Sequence, residues 1–418
     1  MSYLLFIIYL ILFCWLITKI RFFRESGLSA KTLIFLFIVK IAAGVFYGFI
    51  YSRIPGHKIY ADTWRFFYES LEETDLLFRD PLRYFTNIFH NPYDRGYERL
   101  FSTSHSYWSD LKSNVMVKLT SVFNIFSLRH YYVNVIFYSF ITFFGPVALY
   151  RLFNKLFPGK TIYLLAGCFL IPSFLYWCSG IHKDGLIFMA IVFIMHHMQE
   201  MIAEEGISLR RCIYIILWLI IILPMRNYVP VALIPPIIAW LLVKKFKRRP
   251  WLSFVTVYTF FAALFFTSRF IHPKINLPLS FSIRQTDFIR LKGNSYIPTT
   301  KLLPGFKSFV RNLPEALDHS LLRPYPTEIK NTQYLIASVE LMAFAALIIL
   351  FLFKGGKIFN HPAVLFAFFF SVSLFLIIGY IVPNIGAIVR YRSLLLPLII
   401  TPMLASLPIF QFKRNPVT

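Results

Sequence analysis

The sequence predicts an all-α polytopic bundle that crosses a lipid bilayer about eleven times. Three observations carry that expectation. Of 418 residues, 57% are hydrophobic and only 15% charged, against about 25% charged in an ordinary soluble domain. Mean hydropathy is +0.63. The apolar residues also fall in long continuous runs, and roughly 20 such residues carry an α-helix across a hydrocarbon core of about 30 Å. Inside that core only helices or closed barrels satisfy their own backbone groups. The runs lack the period-2 alternation of barrel strands, which leaves helices.

Taken along the chain, the first spans are expected at 3–20 and 32–51. The first has no basic residue ahead of its apolar stretch, and Lys19, Arg21 and Arg24 follow it. That polarity is opposite to a cleaved signal peptide, so the reading is a true span with its N-terminus outside. A long polar and aromatic segment occupies 52–130. Spans then follow at 131–153, 161–180, 185–203, 211–225, 228–243 and 251–269. A second polar segment fills 270–333, and the last spans are expected at 334–353, 358–382 and 394–411. No repeat or low-complexity tract interrupts this layout, so the chain reads as one integral membrane domain.

Charge sets the orientation. The formal net charge is +24, from 43 Lys and Arg against 19 Asp and Glu. In a soluble protein such a balance points to nucleic acid. Here the short loops at 21–31, 151–160, 210–211, 244–249, 354–357 and 413–414 collect basic residues on alternate ends of the spans. Short basic loops lie on the cytoplasmic side. The C-terminus is then cytoplasmic, and both long segments lie outside. In a bacterium the fitting location is the inner membrane, and no nucleic-acid partner is expected. Cys14, Cys168, Cys178 and Cys212 sit in or beside apolar runs without metal-type spacing, so they read as small core residues.

Segment 52–130 contains Tyr60, Trp64, Phe66, Phe67, Tyr68, Tyr84, Phe85, Phe89, Tyr93, Tyr97 and Trp108. The apolar spacing over 64–71 is helical. Short amphipathic helices at the outer interface would account for it, as would an aromatic belt that only anchors.

Three outer turns carry cations against the topology bias: His182-Lys183-Asp184, Arg226-Asn227, and Arg390-Tyr391-Arg392. Ionisable groups near spans usually face a bundle interior and mark substrate paths. The arginine fork donates two parallel hydrogen bonds and so suits phosphate. A ring of such groups at one face would fit a lipid-linked phosphate or pyrophosphate; snorkelling to headgroups is the plainer account. The second long segment adds Arg323-Pro324-Tyr325-Pro326-Thr327-Glu328, where the prolines stiffen the approach to the next span. Glu340, inside that span, must pair with a cation or face a cavity. Asp62, in Tyr60-Ala61-Asp62-Thr63-Trp64, reads either as a general base toward a hydroxyl or as a helix N-cap. Asp184 reads as a cap for the following span or as the partner of Lys183 or Arg226.

Absences narrow the chemistry. The sequence contains no P-loop, no His-Glu-x-x-His helix and no Gly-x-Ser-x-Gly elbow. His197, Glu200 and Glu204 share one helical face near His196, a minor metal-site candidate. No cofactor is expected, although a divalent cation is compatible with the residues.

With those residues in view, the chain resembles GT-C-type glycosyltransferases, which use polyprenyl-phosphate-linked sugars in bacterial surface-polysaccharide synthesis. Members have an acidic residue in the first large outer loop, and Asp62 stands at the matching position. It is followed by Thr63 where many members carry a second acid. The stretch from Pro172-Ser173 through Trp177, Ser179-Gly180 and Lys183-Asp184, with Arg323-Pro324-Tyr325-Pro326 and Arg390-Tyr391-Arg392, is similar to elements of such membrane proteins. The outer arginines also resemble those of O-antigen or exopolysaccharide polymerases. The resemblance implies a transferase with Asp62 as base toward the acceptor. His182, Lys183, Asp184, Arg226, Arg323, Glu328, Arg390 and Arg392 would form the surrounding phosphate- or substrate-binding set. Its partners would be membrane lipid, a polyprenyl-linked sugar and envelope-assembly proteins. A transporter or flippase of an anionic lipid or solute is the rival from another class. A non-catalytic scaffold of an envelope complex is a third.

Overall fold

The computed structural model describes residues 2–89, 107–203, 208–246, 249–272, 275–291, 295–355 and 358–407. Tyr93, Tyr97, Glu204 and the basic residues at 413–414 lie outside them, as do the side chains of Phe89 and Trp108. Every extended element among the described residues is helical; an isolated antiparallel bridge joins Tyr296 to Asn384.

In chain order the helices are α1 (Ser2–Lys19), α2 (Arg21–Arg24), α3 (Ala30–Ser52), α4 (His57–Tyr60), α5 (Asp62–Arg79), α6 (Pro81–Thr86), α7 (Tyr107–Ser127) and α8 (Tyr131–Leu156). They continue with α9 (Thr161–Phe169), α10 (Pro172–Ser179), α11 (Lys183–Ala203), α12 (Leu209–Ile222), α13 (Tyr228–Phe246) and α14 (Pro250–Ile271). The last are α15 (Leu277–Arg290), α16 (Phe306–Leu321), α17 (Thr332–Lys354), α18 (Pro362–Ile381), α19 (Ile385–Ser393) and α20 (Leu396–Ser406).

Seven of these (α1, α3, α8, α13, α14, α17 and α18) are long and apolar enough to cross a membrane. The number reaches nine if the bent pairs α9–α10 and α19–α20 are each one span. Such a set of apolar helices marks an integral membrane protein. The expected spans at 185–203 and 211–225 correspond to α11 and α12, which are not in the set. At 14 residues, α12 is about 21 Å long by its rise per residue, short of the hydrocarbon thickness. The expected turn before the last span is instead the helix α19, capped by Asn384, whose side chain accepts from the Ala387 N–H. Pro235 and Pro236 do not end α13, which runs through both, whereas Pro172 begins α10, where a missing N–H is tolerated.

The chain divides into two compact units, one of Met1–Arg151 with Ser173–Ile234 and one of Leu152–Pro172 with Pro235–Thr418. In the first, an aromatic cluster of Phe13, Phe23, Phe37, Phe140, Phe143 and Phe144 packs α1, α2 and α3 against α8. Segment 52–89 is helical, and α5 buries Thr63, Trp64, Phe66, Phe67, Ser70 and Thr74, one helical face. That face continues into a buried polar seam: Asn124 Nδ2 donates to Ser70 Oγ at 2.9 Å, and Asn134 Nδ2 donates to Asn124 Oδ1 at 2.6 Å. Buried amides need such partners.

In the second unit, α16 buries Phe309, Asn312, Ala316, His319 and Ser320. Phe309 meets Phe265, Phe266, Phe281 and Tyr380, and Tyr380 Oη donates to the Phe309 carbonyl at 2.7 Å. The close approach of α16 to α18 requires Gly379, because a Cβ there would collide with the backbone of Ala316.

Candidate functional site

The first unit gathers four sequence-distant ionisable residues into one chain of contacts. Asp62 is the first residue of α5. The preceding Ala61, at φ −95° and ψ 109°, occupies the N-cap position, so the Asp62 carboxylate is not the cap. It lies across from the segment between α10 and α11 instead. Asp62 Oδ2 is 3.1 Å from His182 Nε2, and Asp184 Oδ2 is 2.8 Å from His182 Nδ1. Asp184 Oδ1 accepts from Arg226 Nη2 in a buried ion pair. Arg226 Nη1 donates to Tyr228 Oη at 3.3 Å. Asp184 therefore pairs with Arg226, one of the alternatives that the sequence left open, and also with His182.

Burial grades along this chain. The side chains of His182 and Asp184 are wholly buried and that of Arg226 is 9% exposed, whereas Asp62 is 35% exposed. Three members form the buried support, and the carboxylate of Asp62 reaches solvent. A ring nitrogen of neutral imidazole donates only on one side. Each ring nitrogen of His182 faces a carboxylate oxygen.

Flanking residues hold the two ends. Tyr138 Oη donates to the His182 carbonyl, fixing the backbone at the ring. Thr63 Oγ1 and Tyr131 Oη lie 2.6 Å apart, and Trp64 Nε1 donates to the Gly48 carbonyl at 2.9 Å. The Trp64 and Tyr131 rings stack at 3.9 Å. Arg65 approaches Asp62 at 3.5 Å and Glu69 at 3.7 Å. Burial pushes the Glu69 carboxyl up despite Arg65. The Lys183 ammonium lies 5.6 Å from the Phe66 ring, a cation–π distance, and Phe66 lies 6.3 Å from the His182 ring.

The second unit assembles its own polar group. Arg323 Nη1 donates to Glu328 Oε1 at 2.9 Å and Nε to Asp318 Oδ2 at 3.2 Å. Glu328 Oε2 accepts from the Tyr325 N–H at 2.9 Å, and Tyr325 Oη donates to Asp318. The hydrogen bond to Asp318 pushes the Tyr325 phenol up, with burial adding to it. Arg392 is fully buried, its Nη1 donating to the Ser320 and Arg323 carbonyls, each at 2.9 Å. Glu340 is 8% exposed and acts electrostatically on Arg392. Arg390 is half-buried on the same helix.

Thus Asp62, His182, Asp184 and Arg226 meet in one unit with Lys183 close by, and Arg323, Glu328 and Arg392 meet in the other. Arg226, Arg323 and Arg392 each already serve carboxylates or carbonyls of the protein. At the minor metal candidate, Arg211 occupies the cation position: its Nη2 is 3.9 Å from Glu200 and its Nη1 3.5 Å from His197. Among the described residues, no group of three or more His, Cys, Asp and Glu is placed to hold a metal ion. Sequence reasoning missed Lys40 and Tyr138, which grip the backbone on either side of the candidate turn. Lys40 had a signal, as the sole charged residue within an apolar run.

No protein-family model, no curated protein and no solved structure matches this chain.

Proposed function

We propose that this protein is a membrane glycosyltransferase of cell-envelope polysaccharide or glycolipid assembly, drawing sugar from a polyprenyl-linked donor at the outer face of a bacterial inner membrane. The observation that carries the reading is the Asp62 carboxylate, 35% exposed and backed by the buried His182–Asp184–Arg226 chain. Buried ion pairs are expensive to assemble. A partly exposed carboxylate held in place from behind suits general-base catalysis.

In this reading Asp62 takes the proton of an acceptor hydroxyl as that oxygen bonds to the anomeric carbon. The bond from that carbon to the lipid phosphate oxygen breaks, and its electron pair leaves with the phosphate. His182 orients Asp62 through its Nε2. Lys183, next to His182 in the chain and held near Phe66, would bring its positive charge to the leaving phosphate. Asp184 and Arg226 act through His182. The Arg323–Glu328–Arg392 group holds the segment before α17 and is assigned no chemical step. Envelope-assembly proteins are the natural partners.

The test is surface-glycan profiling, by gel and mass spectrometry, of the source organism lacking the gene. The strain is complemented with wild type, Asp62→Asn or Arg323→Gln at matched membrane levels. The reading expects Asp62→Asn to leave the deletion defect in place and Arg323→Gln to restore the glycan. A product missing one sugar marks a transferase, and single-repeat products mark a polymerase using the same carboxylate. An unchanged glycan on deletion removes the reading and favours transport of an anionic lipid or solute.

A further inference from the structure

Lys40 lies in the middle of the apolar helix α3 and is 5% exposed. Its Nζ donates to the Cys178 carbonyl at 2.7 Å and lies 3.5 Å from Ser179 Oγ. Cys178 and Ser179 close α10, where backbone carbonyls have no partner within the helix. An ammonium there satisfies a terminal carbonyl and complements the negative end of the helix dipole. Three residues further on stands His182.

The same face of α3 continues through Gly44, Tyr47 and Gly48 at helical spacing. A Cβ at Gly44 would sit 2.6 Å from the Ser179 carbonyl oxygen and 2.7 Å from Val135 Cγ1, so only glycine lets α3 approach the end of α10 this closely. Gly48 is pressed against the Tyr131 ring, and its carbonyl takes the Trp64 indole N–H. One face of one helix therefore grips both arms of the site. Its first half holds the backbone leading to His182, and its second half holds the start of α5, where Asp62 stands.

We infer that Lys40 is a positioning residue: by locking the end of α10 against α3 it sets the approach of His182 to Asp62. The inference rests on reading Asp62 and His182 as the reacting pair, and it does not involve Lys40 in contact with substrate. A lysine that only fills its place would leave the His182–Asp62 hydrogen bond unaltered when replaced.

The experiment is nitrogen NMR of the full chain in detergent micelles with ¹⁵N-labelled histidine. The His182 ring signals are assigned by their loss in His182→Gln. The variants are Lys40→Met, Lys40→Gln, Gly44→Ala and the exposed Lys31→Met as a control, with thermal melts to show folding. Lys40→Met removes the grip and Gly44→Ala pushes on it, so both should move the Nε2 signal that reports the bond to Asp62. Lys40→Gln, which keeps an N–H donor, should move it less, and Lys31→Met not at all. In the complemented deletion strain Lys40→Met should lower glycan yield at least tenfold, with Lys40→Gln recovering part of it. A folded Lys40→Met with unshifted His182 signals overturns the inference. If Lys40→Met does not fold, unshifted signals in Lys40→Gln and Gly44→Ala overturn it equally, and shifted signals there uphold it. If the His182 signals shift but Asp62→Asn still restores the glycan, the glycosyltransferase reading fails and the positioning of His182 stands.

Discussion

Replacing Asp184 by Asn removes the one charge that faces both Arg226 and His182. The Asp184 side chain is wholly buried and that of Arg226 is 9% exposed, so water cannot take over the lost role. Removing one partner of a buried pair typically costs about 3–5 kcal/mol, because the remaining charge is left uncompensated. His182 Nδ1, 2.8 Å from the lost carboxylate oxygen, keeps at best a neutral acceptor and adds to that penalty. Removing Arg226 as well, in Asp184→Asn with Arg226→Gln, leaves two amides of similar size that hydrogen-bond to each other. The double variant should therefore recover much of the loss, with a coupling of about 0.5–3 kcal/mol, the range found for residues in direct contact. The assay is a double-mutant cycle on unfolding in detergent, followed by tryptophan fluorescence. The glycan phenotype is scored in parallel. Stability should return in the double variant while activity does not, since His182 still lacks its anionic anchor. Additive single costs, with no coupling, would refute the idea that this pair supports the site.

Three further outcomes follow from the same geometry. Asp62→Asn should shift stability by less than about 1 kcal/mol, because a third of the side chain is exposed, its pair with Arg65 is long, and an amide oxygen can still face His182; melting curves matching wild type would separate its chemical role from a folding role. Gly379→Ala should destabilise the second unit by about 1–3 kcal/mol or more through overpacking against the Ala316 backbone, read as a lowered melting temperature with Gly305→Ala, which has open space around it, as the neutral control. His319 is buried, and burial with the Arg323 charge holds its imidazole below its ordinary value. The unfolded chain then takes up a proton near pH 6.5, where the folded one does not. Stability from this residue should be fully present at pH 8 and fall as pH drops through that range, and His319→Gln should show a flatter melting profile between pH 7.5 and 5.5.

Some of this was open to sequence reasoning. The apolar runs at 3–20, 32–51, 131–153, 228–243, 251–269, 334–353 and 358–382 each became a helix able to span a membrane, because span length and apolar content are local properties. His182, Asp184 and Arg226, singled out in two short turns between apolar runs, meet in one cluster, since ionisable groups beside apolar helices must find partners. The capping role open to Asp62 was settled by backbone position: one residue separates an N-cap from the first helical turn, within the error of any boundary read from sequence. The chain's arrangement as two compact units, the bend of 57° between α19 and α20 and the true length of α12 had no local signature.

Composition and run lengths, read without any coordinates, fix the solvent of this protein: they admit only a helical membrane architecture. Packing in three dimensions selects which polar groups share a site. Asp62 and His182 are 120 residues apart, Lys40 and Cys178 are 138 apart, and Asp184 and Arg226 are 42 apart. No periodicity connects such positions. Gly44 and Gly48 let α3 approach Ser179 and Tyr131 closely, and such fit belongs to packed surfaces rather than to any stretch of chain.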